Sequence, residues 1–194
     1  MPDGIFKWVF AALLVATAVV VWIRLPGGQT GAVRQSTLAL VEAVDRPAPA
    51  FSLPVIREEG RTPQRESRRG PEDLRGRRFL INFWASWCEA CTGEAEGIDQ
   101  LRQRLAGHGG LDVLAVATFD SREKALASDK ILPMTWPVVI DADGGVAEAY
   151  GVAGLPQSFI VDDKGQILLH IRGKVAGEKL NKISRLLLAA EGAR

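Results

Sequence analysis

The chain has 194 residues, of which 47% are hydrophobic, and its formal net charge is +1. This length suits one packed domain with short appendages rather than several domains. The balanced charge, without a basic surface interleaved with aromatic side chains, excludes the electrostatic pattern of a DNA- or RNA-binding protein.

The N-terminal region contains an unbroken apolar run from Trp8 to Ile23. It approaches the roughly 20 residues that a helix needs to cross a bilayer. A cleavable signal has a shorter apolar region and a small-residue cleavage site, for which only residues 30–32 offer a weak candidate. We therefore predict an uncleaved single-pass anchor over residues 1–24, with a cleaved signal as the alternative.

A tether is predicted to follow the anchor. Residues 25–46 are interpreted as a linker with a helix-like patch over Val33–Val44, and the Pro-rich residues 47–50 break that pattern. The predicted domain is therefore 47–194. Within it, Arg57 to Arg69 carries many charges without periodicity, which is typical of a solvated loop, although docking of an anionic partner is an alternative.

Two cysteines, Cys88 and Cys91, follow the apolar run 79–85, and a helix is predicted from about Cys91 to Leu105. A helix N-terminus stabilises a thiolate, so Cys88 is the predicted nucleophile. Two intervening residues bring Cys91 within bonding distance, so the pair can open and close as a disulfide with Cys91 as the resolving thiol.

Two alternatives for the cysteine pair are weaker. A structural zinc site needs four Cys or His ligands, and the two histidines, His108 and His170, are not in ligand spacing with the cysteines. A purely structural disulfide would close a very small loop and constrain the unfolded chain little. The sequence therefore favours redox chemistry, with no metal and no cofactor.

The remaining elements alternate between strands and helices. They are strands at 51–56, 113–117, 138–140, 158–161 and 167–171, and helices near 122–128 and 176–190. This order predicts an α/β fold whose mixed central sheet is covered on both faces.

The segment from Asn82 to Cys91 resembles the active-site signature of the TlpA/ResA/DsbE (CcmG) group of membrane-anchored thioredoxin-like proteins. Residues 141–144 and 149–162 resemble that group's downstream segment in the same order. The likeness runs from about Ala50 to the C-terminus. It implies a thioredoxin-like three-layer fold preceded by a transmembrane helix.

The resemblance also implies a substrate-binding site. It places a cis bond between Leu155 and Pro156 opposite the cysteines, where the Leu155 backbone would pair with an extended substrate peptide. Pro156 would also deny the thiolates a nearby metal ligand. Trp87, beside the nucleophile, is predicted to contact the partner.

Three further side chains are predicted to tune the cysteines. Glu94 matches a glutamate of the ResA-type pattern and would move the proton of Cys91; the alternative is a surface carboxylate that stabilises the helix start. Glu89 and Glu94 together would raise the thiol pKa, which favours a reductase. Asn82 stands where cytosolic thioredoxins carry a buried aspartate, so that base is absent or has moved to Glu94.

We therefore predict a thiol-disulfide oxidoreductase in the bacterial cytoplasmic membrane with its catalytic domain in the periplasm or extracytoplasmic space. Its expected partners are an upstream membrane thiol reductant and protein disulfides, either of apocytochrome c or of a copper-site protein. The chain departs from the group at Ala90, where a proline is common, and at Gln157–Ser158, where cytochrome-maturation members have Glu-Thr. The substrate therefore stays open.

Two other functions are alternatives. A thiol peroxidase needs a Pro-x-x-x-Thr/Ser-x-x-Cys arrangement, and the corresponding positions here are Ile81 and Ala85. A copper-binding metallochaperone would use the soft thiolates of Cys88 and Cys91 but has no third soft ligand. Both are less favoured than the reductase.

Overall fold

A computed structural model describes residues 40–58, 61–63, 65–131 and 133–192. The predicted anchor, residues 1–24, lies outside these ranges, and so does most of the predicted linker. None of the helices formed by the described residues has the length and apolar character that crossing a membrane requires.

The described residues form eight strands, which are β1 Val41–Pro47, β2 Leu53–Arg57, β3 Arg68–Arg69, β4 Phe79–Trp84, β5 Asp112–Thr118, β6 Val138–Asp141, β7 Gln157–Val161 and β8 Gln166–Arg172. They make one sheet, in the spatial order β1-β8-β7-β4-β5-β6-β2-β3. Strands β4, β5 and β6 are parallel neighbours, whereas β7 is antiparallel to β4. The predicted mixed sheet is confirmed.

Strand β4 is central, and all six of its residues are buried. A strand covered on both faces reads as a continuous apolar run rather than as an alternation. That is why residues 79–84 could be recognised in the sequence. The polar exception is Asn82, and its side chain belongs to the candidate site described below.

Helices cover both faces of the sheet. They are α1 Glu94–Leu105, α2 Arg122–Ala127, α3 Gly145–Tyr150 and α4 Gly177–Gly192. On one face α1 packs against α4, and their buried side chains are Ile98, Leu101, Leu105, Leu180, Ile183 and Leu187. On the other face α3 buries Tyr150 against Phe83 and Phe159. The predicted three-layer arrangement is therefore present.

The outer strand β1, at the start of the described chain, differs from the prediction. A helix-like patch and linker were expected up to residue 46, but Val41–Pro47 form β1, which pairs antiparallel with β8. Val41 is buried and its neighbours are more exposed, as expected of an edge strand with one covered face. Pairing with a strand more than a hundred residues away outweighs a weak local helix pattern.

The arginine-rich segment is also more ordered than predicted. Strands β2 and β3 pair antiparallel across it, so its described part belongs to a hairpin instead of a free loop. Arg69 forms a 2.6 Å ion pair with Glu58, and Arg57 Nη1 donates a hydrogen bond to the Ile131 carbonyl at 3.1 Å. Arg69 therefore holds the hairpin together, and Arg57 attaches it to the rest of the domain.

Candidate functional site

The candidate site lies along the side of the sheet where its central strands end. Parallel strands β4, β5 and β6 all end there, and the antiparallel strand β7 begins there, because Phe83 near the end of β4 pairs with Gln157 at the start of β7. The loops after β4 and β5 and the loop before β7 therefore meet. In the sequence these three loops are tens of residues apart, and the fold brings them together.

The two cysteines follow β4 and form a disulfide. Their Cα atoms are 5.4 Å apart, and each residue is only 5% exposed. The Cys91 backbone N–H donates to the Cys88 carbonyl at 3.2 Å, so the pair spans one tight turn. The predicted bond between Cys88 and Cys91 is present, and their roles as nucleophile and resolving thiol remain predictions.

The helix start differs from the predicted one. Glu89–Cys91 form a single 3₁₀ turn, and α1 begins only at Glu94. Gly93 separates them, with a φ of 73° that favours glycine, and Thr92 is extended. Cys88 thus precedes a three-residue turn rather than the α-helix, so it receives less of the helix dipole than the sequence pattern predicted.

Glu94 is buried, with 2% of its surface exposed, so the alternative of a surface carboxylate is wrong. Its Oε2 accepts a hydrogen bond from Asn82 Nδ2 at 3.1 Å, and its Oε1 accepts one from the Val175 backbone N–H at 3.2 Å. Burial raises the pKa of Glu94 to about 7, although both hydrogen bonds and the charges of Lys179 and Lys174 oppose that rise. The carboxyl can therefore exchange a proton near neutral pH.

Asn82 connects the strand before the cysteines with the strand after the proline. Besides contacting Glu94, its Nδ2 donates to Ser158 Oγ at 3.1 Å. The amide is neutral, so it supplies hydrogen bonds without adding a charge to the buried group. Asn82 thereby fixes the position of the Glu94 carboxyl relative to β4 and β7.

The bond between Leu155 and Pro156 is cis, as the resemblance implied. Pro156 is buried and Leu155 is half-buried. Two hydrogen bonds hold this loop: Gln157 Nε2 donates to the Gly154 carbonyl at 2.9 Å, and the Gly173 N–H donates to the Pro156 carbonyl at 2.8 Å. The substrate-binding roles of Leu155 and Pro156 stay predictions.

His170, on β8, supports this loop, a role that no sequence pattern predicted. Its Nε2 lies 2.6 Å from Gln157 Oε1, and its ring stacks on Phe159 at 4.3 Å. Because the Gln157 amide nitrogen already faces Gly154, its oxygen must accept, and we assign the hydrogen to Nε2 of His170. Burial lowers the pKa of His170, and the charge of Arg172 lowers it further.

Trp87 is 60% exposed, and its indole N–H donates to the Phe119 carbonyl at 2.9 Å. Glu89 is exposed beside it. The backbone N–H and the hydroxyl of Ser86 both donate to the Asp120 carboxylate, at 2.6 and 3.0 Å. The loop after β5 therefore positions the loop that carries the cysteines, a pairing for which the sequence held no local signal.

This arrangement provides a cysteine pair that can exchange between dithiol and disulfide, followed three residues later by a buried carboxyl with a pKa of about 7. Within the described ranges, no group of three or more His, Cys, Asp or Glu side chains is placed to hold a metal ion.

Comparison with solved structures identifies the fold as thioredoxin-like. A Chlorobium tepidum protein described as a thiol:disulfide interchange protein DsbE superimposes with a TM-score of 0.64 at 26% identity, covering 78% of this chain and 99% of that one. The solution structure of a Neisseria meningitidis protein described as a thioredoxin is 31% identical, with a TM-score of 0.57, and covers 76% of this chain and 93% of that one.

Sequence comparison gives relatives that are also named for thiol-disulfide chemistry. The thiol-disulfide oxidoreductase ResA of Bacillus thuringiensis subsp. konkukian is 28% identical over 111 residues, which are 57% of this chain and 64% of the relative. The thiol:disulfide interchange protein DsbE of Allochromatium vinosum is 35% identical over 130 residues, 66% of each chain. The matched part thus spans slightly under two thirds of the length of that ResA.

A family model described as AhpC/TSA matches residues 44–170, about two thirds of the chain. The match includes both cysteines, Asn82, Glu94 and the cis-proline loop. The chain therefore belongs to the AhpC/TSA family of thioredoxin-like proteins.

Proposed function

We propose that this protein is a thiol-disulfide oxidoreductase that reduces disulfides of protein substrates. The observation that carries the proposal is the Cys88–Cys91 disulfide at the same sheet edge as the cis Leu155–Pro156 bond. An extended peptide can pair with the backbone of that loop and present its own disulfide to Cys88. The names of the ResA and DsbE relatives support the same activity.

The exchange proceeds in two steps. The Cys88 thiolate attacks one sulfur of the substrate disulfide, which forms a mixed disulfide and releases the other substrate sulfur as a thiolate that takes up a proton. The Cys91 thiolate then attacks the Cys88 sulfur and releases the second substrate thiol. The substrate gains two electrons and two protons, and the protein is left with the Cys88–Cys91 bond. An upstream thiol reductant restores the dithiol.

Glu94 is suited to the proton transfer in the second step. Cys91 must lose its proton before it can attack, and Glu94 lies three residues later in a buried position. A carboxyl with a pKa of about 7 accepts a proton at neutral pH more readily than an ordinary glutamate does. Asn82 and Val175 would hold it in place during the transfer.

The proposed direction is reduction of the substrate. Glu94 and the exposed Glu89 place negative charge near the thiols, and Cys88 lacks an α-helix directly after it. Each feature leaves the Cys88 thiolate less stabilised. A couple whose reduced form gains little stabilisation is reducing, unlike that of a strong oxidant.

The proposed location is the outer side of the bacterial cytoplasmic membrane, with the apolar run of residues 8–23 as the anchor.

The proposed substrates are a haem-site cysteine pair of apocytochrome c or a dithiol at a copper site, and the proposed donor is a membrane thiol reductant. Membership of a group in which DsbE and ResA relatives occur supports this choice.

Trapping the mixed disulfide tests the activity. The full chain carrying Cys91→Ser cannot complete the second step, so it should accumulate a covalent adduct with its substrate that dithiothreitol releases. Mass spectrometry of the adduct identifies the captured protein and the cysteine. The matched Cys88→Ser variant should capture nothing, and equal capture by both variants would contradict the proposed attack by Cys88.

Fractionation tests the location. The full chain should sediment with membranes, and protease added to spheroplasts should digest its domain. Protection of the domain in intact spheroplasts would mean that the domain lies on the inner side, where a different donor would be required.

Peroxidase activity is the other enzymatic function to measure. Ile81 and Ala85 occupy the positions where a peroxidase would need Pro and Thr or Ser, and both are fully buried. We therefore expect the reduced protein to consume alkyl hydroperoxide no faster than the Cys88→Ser variant does.

A further inference from the structure

Phe119 has two unusual properties together. Its φ of 51° makes it the one non-glycine residue with a left-handed backbone among the residues that the structure describes. Its side chain is nevertheless large, apolar and 45% exposed. A large residue in such a conformation is strained, and this kind of strain concentrates at functional sites. Glycine or asparagine would adopt the same backbone more easily.

The surroundings hold Phe119 firmly in this position. Its N–H donates to the Asp141 carbonyl at 3.0 Å, and its carbonyl accepts from the Trp87 indole at 2.9 Å. Its ring lies directly on the backbone of Gly144, where an added Cβ would come within 1.8 Å of the ring. Phe119 is thus an aromatic residue that is held in place although about half of its surface is exposed.

Its place on the sheet edge relates it to the cysteines. Strands β7, β4 and β5 are neighbours, and at this edge they carry the cis-proline loop, the cysteine turn and Phe119, respectively. Neighbouring strands lie about 4.8 Å apart, so a peptide crossing from the cis-proline loop to Phe119 covers roughly 10 Å, or about three extended residues. Trp87 directly precedes Cys88, and its indole hydrogen bond to the Phe119 carbonyl joins the cysteine turn to Phe119.

Two charged side chains near Phe119 are paired within the domain, whereas Glu89, two residues after Trp87, is exposed. Asp120 accepts from Ser86 and from the Ser121 N–H at 2.9 Å, and Lys130 Nζ donates to the Ser86 carbonyl at 3.1 Å. The two exposed aromatic side chains therefore offer mainly apolar surface. Aromatic faces of this kind bind apolar and aromatic side chains.

We propose that Phe119 and Trp87 form an aromatic binding surface for apolar side chains in the substrate segment that flanks the attacked disulfide, and that Phe119 is a specificity-determining residue. This inference rests on the proposed function, since it takes a protein disulfide as the substrate. It places the substrate segment in an extended conformation from the cis-proline loop across Cys88 to Phe119. The surface thus selects substrates by the residues around their cysteines.

Two disulfide peptides test the selection. Both contain one intramolecular Cys-x-x-Cys disulfide, flanked on each side by Phe and Leu in the first peptide and by Ser in the second. The reduced full chain should reduce the apolar peptide faster. Phe119→Asn suits the left-handed backbone and removes the ring, and it should slow reduction of the apolar peptide about tenfold. It should change the rates for the Ser-flanked peptide and for oxidised glutathione less than twofold.

Two control variants accompany this measurement. Phe119→Tyr keeps the ring and should retain the preference for the apolar peptide. Leu186→Ala removes a comparably exposed apolar side chain on α4 and should leave all three rates unchanged. A uniform loss on all three disulfides in Phe119→Asn would mean that Phe119 acts on the cysteines themselves. That result, or no loss at all, would overturn the binding surface.

A binding measurement separates this inference from the proposed activity. A fluorescent apolar peptide with both cysteines replaced by serine cannot react, and anisotropy gives its affinity for the full chain. Phe119→Asn should weaken this binding about tenfold and Leu186→Ala should not. If the wild type binds the peptide but reduces no disulfide, the proposed activity fails and the binding surface stands. Equal affinity of wild type and Phe119→Asn would refute the surface.

Discussion

The Asn82 side-chain amide donates a 3.1 Å hydrogen bond to Oε2 of Glu94, whose carboxyl is almost wholly buried and which follows Cys91 by three residues. The same amide reaches Ser158 in β7, on the other side of the site. A neutral donor stabilises the carboxylate only partly, so burial remains the largest influence on the Glu94 pKa. The Glu94 carboxyl, which follows the dithiol in the chain, therefore changes its charge around neutral pH.

Glu94→Gln should change how stability depends on pH. The folded-state pKa of Glu94 is about 7, above its ordinary value of 4.5, so the folded protein binds the extra proton between these values. Stability is consequently lost as pH rises from 4.5 to 7, by about 3 kcal/mol in total. Urea unfolding from pH 4.5 to 8 should show this decline in the wild type and a flatter profile in the variant.

The difference between the pH profiles of wild type and Glu94→Gln isolates the contribution of the Glu94 carboxyl to stability. Glutamine has one acceptor where Glu94 uses two, against Asn82 and Val175, so the variant also has a constant offset in stability. That offset does not vary with pH, and the other titrating groups are shared. Parallel profiles for wild type and variant would contradict the raised pKa.

The Cys88–Cys91 couple should be reducing. The dipole of an α-helix stabilises a terminal anion by about 0.3–1 kcal/mol, and here α1 begins only at Glu94. Above neutral pH the Glu94 carboxylate further opposes a thiolate nearby. The potential should lie nearer that of thioredoxin, about −270 mV, than that of DsbA, about −120 mV.

Glu94→Gln removes the buried charge, so it should lower the Cys88 pKa and move the potential upward. Equilibration with glutathione buffers gives the potential, and the absorbance of the thiolate at 240 nm against pH gives the pKa. Glu89→Gln is the matched control, because its exposed carboxylate is screened by solvent and should have a smaller effect. A wild-type potential near that of DsbA would refute the assignment as a reductase.

Limited alkylation should label Cys88 in the reduced protein. Cys88 follows the exposed Trp87, whereas Cys91 lies inside the turn with its N–H bonded to the Cys88 carbonyl. Reaction with a limiting amount of iodoacetamide, followed by peptide mapping, gives the ratio of the two adducts. Predominant labelling of Cys91 would reverse the assignment of nucleophile and resolving thiol.

The local parts of this site could be predicted from the sequence. An unbroken apolar run identified β4, and the spacing of Cys88 and Cys91 predicted their bond. The sequence pattern places the start of α1 too early, because Gly93 interrupts the helix and the pattern does not show this break. A glycine in the left-handed region separates a turn from a helix without disturbing the apolar periodicity that follows.

The environments of single polar side chains could not be predicted in this way. Glu94 is buried because Val175, 81 residues later, caps its carboxyl, and no local pattern encodes that contact. Likewise Phe119 reads as an ordinary residue after a strand. Its strained backbone and its contact with Gly144 appear only when β5 and β6 are placed side by side.

His170→Phe should loosen the cis-proline loop while keeping the stacking on Phe159. The His170 ring lies 2.6 Å from Gln157 Oε1 and thereby turns the amide nitrogen of Gln157 toward the Gly154 carbonyl. Phenylalanine preserves the ring but leaves that buried oxygen without a donor, at a cost of about 1–3 kcal/mol. We expect a lower urea midpoint of unfolding.

The kinetic consequence separates a positioning role from a purely structural one. A loop that is less well held binds the substrate segment less tightly, so KM for a disulfide peptide should rise severalfold while kcat changes little. The rate with oxidised glutathione, which needs no extended pairing with the loop, should stay the same. His170→Gln supplies a new donor at the same position and should restore part of the lost affinity. If both variants lowered the rates for peptide and glutathione equally, His170 would act on the cysteines rather than on the loop that receives the substrate.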